Sequence, residues 1–374
     1  MLGSTSILAL SALVAAHAVP PPPTPVRVEL SPAFAHSVPA TYVSFNLDWH
    51  LDSEEWPAWK GCSVMNMSLT EPNLVFLARS LSPAVLRVGG SEGDMVVYDV
   101  PGAPCPPNTT FCLTQERWRA INDFAAATGN KVAFGLNAMA GRENKTCKAC
   151  PWDPTNAAAF LTASHAAGIT PYALEFGNEL TPFVNVDQYA KDVLALRALV
   201  DSIWTDPATR PKLVSNDANP DPTYLETLLK AAGSALDVAT WHLYIAYGLD
   251  PKLMSLAWSP SEMQKINSTA SGILAAVAAA GFKGEVWVGE SAFAWHSGQE
   301  GVTDTFLSAP WWMSALGQLS PTHSGFCRQT LIGVRVCIIL CGASMLPFSL
   351  THARSHHPLL HPPYMSLCRG TTSL

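Results

Sequence analysis

The sequence predicts an α/β chain closed into a (β/α)8 barrel of the TIM type, and three observations carry that expectation. Eight short β-branched or apolar runs alternate with amphipathic stretches, and those stretches open on Ser, Thr or Asp and often close on Gly. A length of 374 residues, with 48% hydrophobic and 14% charged content, supplies the core that one such barrel needs. A doubly wound sheet would instead need an early Gly-rich phosphate turn. Arg87-Val-Gly-Gly-Ser-Glu-Gly93 has its glycines at the wrong spacing for that turn, and no helix is expected directly behind it.

In chain order, strands are expected near Tyr42 to Asn46, Ala84 to Val88, Lys131 to Leu136, Tyr172 to Phe176, Lys212 to Ser215, Val238 to Tyr244, Glu285 to Gly289 and Phe326 to Leu331. Between the second and third, Thr114 is placed to cap a helix on which Trp118, Ile121 and Ala125 share one face, and Gly129 to end it. Asp153-Pro154 opens the next helix, which Gly168 stops. Asp187, Asp221 and Ser261 open others, the last two ending near Gly233 and Gly281. No unit of 20 to 50 residues repeats.

Two of the expected strands end on glutamate: the fourth at Leu174-Glu-Phe-Gly-Asn-Glu179 and the seventh at Val286-Trp-Val-Gly-Glu290. A carboxylate at the C-terminal end of an apolar strand costs stability unless it is used. Strands four and seven lie on opposite sides of an eight-stranded barrel, so the two carboxyl groups would face each other. One held protonated and one ionised form the pair that glycoside hydrolysis with retention requires. Asn178 can donate to a sugar 2-hydroxyl. His242 and Tyr244, two apart on the sixth strand, share its face, with Tyr244 placed to orient the nucleophile. Arg87 would keep that nucleophile ionised, and Asp48 would accept from sugar hydroxyls.

Composition bounds the setting. A net charge of -7 argues against nucleic acid as a partner. Residues 1–18 read as a secretory signal: an apolar stretch from Ile7 to Ala16 is followed by Ala16-His17-Ala18. An N-terminal membrane anchor is the competing reading, but the run is too short to span a bilayer, so no integral span is expected. Residues 19–25 form a Pro-rich linker. Sequons at Asn66, Asn108, Asn144 and Asn267 agree with a glycosylated protein of the secretory pathway, destined for the exterior, a cell wall or a vacuole- or lysosome-like compartment. Cys105, Cys112, Cys147 and Cys150 lie in loops where an oxidising compartment favours bridges, with three connectivities open. Cys147-x-x-Cys150 lacks a second ligand pair, and His352, His356, His357 and His361 lack accompanying carboxylates, so neither metal nor cofactor is expected.

Several motifs taken together resemble a known family. Leu86-Arg-Val-Gly-Gly90, Asp94-Met-Val-Val-Tyr-Asp99, Phe134-Gly-Leu-Asn137, Glu175-Phe-Gly-Asn-Glu179, Trp241-His-Leu-Tyr244, Gly289-Glu290-Ser291 and Asp304-Thr-Phe306 are similar to the heparanases and plant heparanase-like β-glucuronidases of glycoside hydrolase family 79. The likeness runs from about Tyr42 to Gly333. Asn46-Leu-Asp-Trp49 and the segment from Cys105 to Arg117-Trp118 place it nearer the plant-type branch.

The resemblance implies Glu179 as acid/base and Glu290 as nucleophile, and puts Asp48, Asn178, His242 and Tyr244 around a glucuronate. It further implies that the loop through Trp295, His296 and Ser297 meets the sugar carboxylate through backbone N–H groups. The implied substrates are a glucuronic-acid-containing polysaccharide, a proteoglycan or a small glucuronide. The family has Tyr where Trp295 stands.

The same resemblance ends at Gly333. The barrel is therefore assigned to residues 26–333, and 334–374 to a non-homologous tail without order, read as translated intron or a frameshifted end. All 29 acidic residues lie at or before Asp304, which sets that tail apart in composition. A chain so built would lack the family's final barrel helix and C-terminal β-sandwich. The alternative function is then a non-catalytic, carbohydrate-binding isoform.

Overall fold

The computed structural model describes residues 36–51, 62–143, 146–216 and 220–328. The expected signal, linker, tail, Asn144 and the part of the eighth strand past Arg328 lie outside the described residues. In chain order the elements are β1 (Val43–Asp48), α1 (Pro72–Ser80), β2 (Val85–Gly89), β3 (Val97–Tyr98), β4 (Cys112–Leu113), α2 (Gln115–Thr128), β5 (Lys131–Leu136), α3 (Thr155–Ala166), β6 (Ala173–Phe176), α4 (Val186–Ile203), β7 (Lys212–Val214), α5 (Pro222–Ala232), β8 (Val238–Tyr247), α6 (Leu253–Leu256), α7 (Pro260–Ala279), β9 (Glu285–Trp295), α8 (Ala309–Leu319) and β10 (Gly325–Arg328). Eight parallel strands close a barrel in the order β1-β10-β9-β8-β7-β6-β5-β2. The pair β3-β4 lies outside it, and the disulfide Cys105–Cys112 closes the chain between those two strands. A second disulfide joins Cys147 to Cys150.

Local chemistry accounts for most helix ends. Thr114 accepts a hydrogen bond from the Arg117 N–H at the start of α2, and Gly129 ends it at φ 75°. Trp118, Ile121 and Phe124 of this helix are buried against the barrel, worth about 2 kcal/mol each by area. Two caps differ from expectation. Asn185, not Asp187, accepts from Gln188 N–H to start α4, which leaves Asp187 inside the first turn, where it complements the helix dipole. The long helix α7 begins at Ser259-Pro260 instead of Ser261, since Pro suits the first helical position. A short 3-10 turn over Ser91–Met95 also follows Gly90 directly, against expectation.

Side-chain alternation sorts the barrel interior into layers. Val85, Ala133, Ala173, Val214, Val238 and Trp287 pack together at the end where the strands begin. Two residues further along four of these six strands the interior turns polar: Arg87, Glu175, Asn216 and Thr240 are all buried. In β9 the count is interrupted. Trp241 pairs with Val288 but His242 pairs with Glu290, so Gly289 is an extra residue, a bulge that brings Glu290 to the interior face.

The end of the barrel where the strands begin carries a pH-sensitive contact. Trp241 Nε1–H donates to His323 Nε2 at 3.0 Å, which requires an unprotonated nitrogen there. Burial accordingly pulls the His323 imidazole down to about 4. A folded-state value below the unfolded one gives stability that is complete above pH 6.5 and is lost as pH falls towards 4, up to roughly 3 kcal/mol. Denaturant midpoints across that range are expected to show the loss, and His323→Gln, which keeps an acceptor but cannot titrate, is expected to flatten it.

Of the sequons, Asn66, Asn108 and Asn267 are exposed. Among the described residues no helix is long and apolar enough to cross a membrane.

Candidate active site

The C-terminal ends of the barrel strands converge on one buried guanidinium. Arg87 on β2, 1% exposed, donates from Nε and Nη2 to the two carboxylate oxygens of Glu175 at 2.5 Å each. Its Nη1 donates to Glu290 Oε2 at 2.9 Å, and Nη2 also reaches Asn178 Oδ1 at 2.8 Å. One cation thus faces two carboxylates and fixes the tips of three strands. Tyr244 on β8 donates its hydroxyl to the other oxygen of Glu290, and burial with that carboxylate beside it raises the Tyr244 phenol well above its ordinary value, so it stays a donor.

Glu179 lies across the mouth. It sits at φ +51° just past β6, a left-handed conformation unusual for a glutamate and of the kind found where a side chain is forced into a site. Gly177 makes the turn, because a Cβ there would stand 2.3 Å from Leu180 Cδ1. His242 Nδ1 is 2.7 Å from Glu179 Oε1, and its Nε2 is 3.9 Å from Glu290 Oε2. A single imidazole, buried on β8, therefore lies between the two glutamates.

Asp48, at the end of β1, is buried and accepts from the His50 N–H at 2.8 Å. It lies against Gly90, where φ is 122° and a Cβ would come within 2.7 Å of Asp48 Oδ2. Only glycine fits that position. Asn178 Nδ2 donates to Ser91 Oγ at 3.2 Å, which leaves its second N–H for another acceptor. Trp295 stands half exposed against Tyr247, ring centroids 4.4 Å apart. His296, Ser297 and Gly298 follow at φ 62°, 61° and 69°, three successive left-handed residues that turn the chain. Each residue expected from the sequence is thus at this end of the barrel.

Two acidic residues of the site were not expected. Glu175, on the apolar strand β6, is the main partner of Arg87. Asp94 receives the Ala138 N–H on one oxygen and the Asn178 N–H on the other, both at 2.8 Å, so it clamps the ends of β5 and β6 and holds the chain that presents Glu179. Burial pushes the Asp94 carboxyl up to about 7, against the pull of those two N–H groups, Arg142 and Arg87. A charged residue inside an apolar strand, and an Asp directly after Gly93, were the available signals.

Residues 26–317 match the N-terminal domain of glycosyl hydrolase family 79. The chain belongs to that family. Among curated members of family 79, it is 33% identical over 325 residues to "Heparanase-like protein 1" of Arabidopsis thaliana, a match covering 78% of this chain and 59% of that protein. It is 30% identical over 313 residues to "Baicalin-beta-D-glucuronidase" of Scutellaria baicalensis, covering 74% and 59%. This family 79 chain therefore matches about three-fifths of the length of these relatives. Among solved structures, a 4-O-α-L-rhamnosyl-β-D-glucuronidase from Fusarium oxysporum superposes with TM-score 0.52 at 16% identity, over 78% of this chain and 63% of that one. A family 51 arabinofuranosidase from Xanthomonas axonopodis pv. citri gives 0.57 at 13%, over 80% and 68%. Those two share the fold.

Proposed function

We propose that this family 79 chain is a retaining glycoside hydrolase that cleaves β-glucuronide linkages by double displacement, with Glu290 as nucleophile and Glu179 as acid/base. The observation that carries the reading is the unequal setting of the two glutamates. Glu290 has Arg87 at 2.9 Å and the Tyr244 hydroxyl on its other oxygen, a setting that complements and aims a carboxylate. Glu179 meets His242, and its side chain keeps one-third exposure to the mouth, where a leaving oxygen would arrive. The imidazole within reach of both supports the closely spaced pair that double displacement uses.

In the first step Glu290 attacks the anomeric carbon as Glu179 gives its proton to the departing oxygen. In the second Glu179 takes a proton from water, which displaces Glu290. Asn178 would hydrogen-bond the 2-hydroxyl, Asp48 would accept from ring hydroxyls, and the left-handed turn at His296 and Ser297 would offer N–H groups to the uronic carboxylate. Relatives named as heparanase-like protein and as a glucuronidase support the sugar assignment. A panel of aryl β-glucuronide, glucoside and xyloside tests it: turnover is expected for the glucuronide, and a preference for either neutral sugar would reject the uronic carboxylate subsite.

A further inference from the structure

The segments that follow β2, β6 and β9, residues 90–111, 177–185 and 296–308, contain no lysine or arginine. They carry Glu92, Asp94, Asp99, Glu179, Glu300 and Asp304. Because the barrel strands are parallel, all three segments leave from the same end, the one that holds the two glutamates. Two arginines buried at that end are already engaged. Arg87 is buried among Glu175, Glu290 and Asn178, and Arg142, also buried, pairs with Asp192. Exposed cations among the described residues of the mouth loops are Lys148 and Lys252, after the third and sixth barrel strands; Lys60 and Lys145 lie outside the described residues.

An aromatic pair stands on the rim. Tyr247 and Trp295 are cross-strand partners at the ends of β8 and β9 and are 38% and 50% exposed. Alternation turns them away from the strand face that carries Tyr244 and Glu290. Trp295 directly precedes the left-handed turn at His296 and Ser297, at the edge of the subsite assigned to the uronic carboxylate. From that edge the pair can meet a sugar unit next to the reacting one, and flat aromatic faces stack on the C–H faces of pyranose rings.

Building on the glucuronidase reading, we infer that the site selects glucuronides whose neighbouring units are unsulfated and stack on Tyr247 and Trp295, and that it disfavours densely sulfated chains. Each sulfate entering the mouth meets the carboxylates of Glu92, Asp99, Glu300 and Asp304, while the buried guanidinium groups of Arg87 and Arg142 are held by other partners. The penalty adds over several charges and reaches across about 10 Å at moderate ionic strength. Added salt therefore relieves it, the reverse of the behaviour of a polyanion-binding cleft, where salt weakens binding.

The test is a calorimetric titration of the full chain with two hexasaccharides of one alternating glucuronate–hexosamine backbone, N-acetylated and unsulfated in one, N- and O-sulfated in the other. The unsulfated one is expected to bind at least tenfold tighter at low salt, with the ratio shrinking as salt rises, and Trp295→Ala is expected to weaken it severalfold. Glu92→Lys and Glu300→Lys, each alone, are expected to raise affinity for the sulfated ligand. Equal or tighter binding of the sulfated hexasaccharide, or no binding of either, overturns the inference. Aryl glucuronide turnover, measured in parallel, judges the glucuronidase reading separately, since the binding ratio needs no catalysis.

Discussion

Glu290→Gln is expected to lower turnover of an aryl β-glucuronide by roughly four orders of magnitude or more while leaving a folded barrel. The amide has the shape of the carboxylate but cannot form the glycosyl ester. The structure also limits the cost to folding. Tyr244 meets one oxygen of Glu290 and Arg87 the other; the amide oxygen can turn to Arg87 and its N–H to the Tyr244 oxygen, and Arg87 keeps both bonds to Glu175. The buried guanidinium therefore does not lose all of its counter-charge, which is what makes breaking most buried ion pairs severe. Activity within tenfold of the parent, in protein whose thermal midpoint matches it, would remove Glu290 from the nucleophile role. Glu175→Gln is the contrasting case. It takes the principal counter-charge from Arg87 and is expected to cost stability first.

These expectations rest on contacts that the sequence shows unevenly. All eight barrel strands were legible, because period-two burial and Gly or Pro punctuation are local properties. The two glutamates were legible because each ends an apolar run. The bulge at Gly289 was not, since a single extra residue leaves no mark in composition, yet the bulge is what brings Glu290 to the same face as His242. Had β9 been regular, alternation from Trp287 would have aimed Gly289 inward and Glu290 into the helix layer. The joint roles of Glu175 and Asp94 were hidden for another reason: Arg87 meets Glu175 across 88 positions, and Asp94 meets Asn178 across 84. Both carboxylates lie in motifs that mark the family, so the motif was visible while its physical reason was not. The helix caps at Asn185 and Ser259 were each misplaced by two residues because neighbouring Asp187 and Ser261 are equally good cap formers.

Glu179→Ala should separate substrates by their leaving groups. A nitrophenolate departs with little protonation, so loss of the acid is expected to change kcat/KM on 4-nitrophenyl glucuronide by less than about tenfold. On an alkyl or sugar glucuronide the loss should reach 10²- to 10⁴-fold, the usual worth of a positioned general acid. The second step behaves differently. Water must still be deprotonated to release the glycosyl-enzyme, so kcat falls even for the aryl substrate, and KM falls with it as the intermediate accumulates on Glu290. Added azide, which needs no general base, should restore kcat and yield the β-azide. Removing Glu179 also takes the carboxylate from His242 Nδ1 while His242 Nε2 remains 3.9 Å from Glu290. His242 is buried, so the imidazole has almost no accessible surface from which to protonate a leaving oxygen. Equal losses on aryl and sugar glucuronides, or failure of azide to act, would move the acid/base role away from Glu179 and leave its left-handed backbone without the chemical use proposed for it.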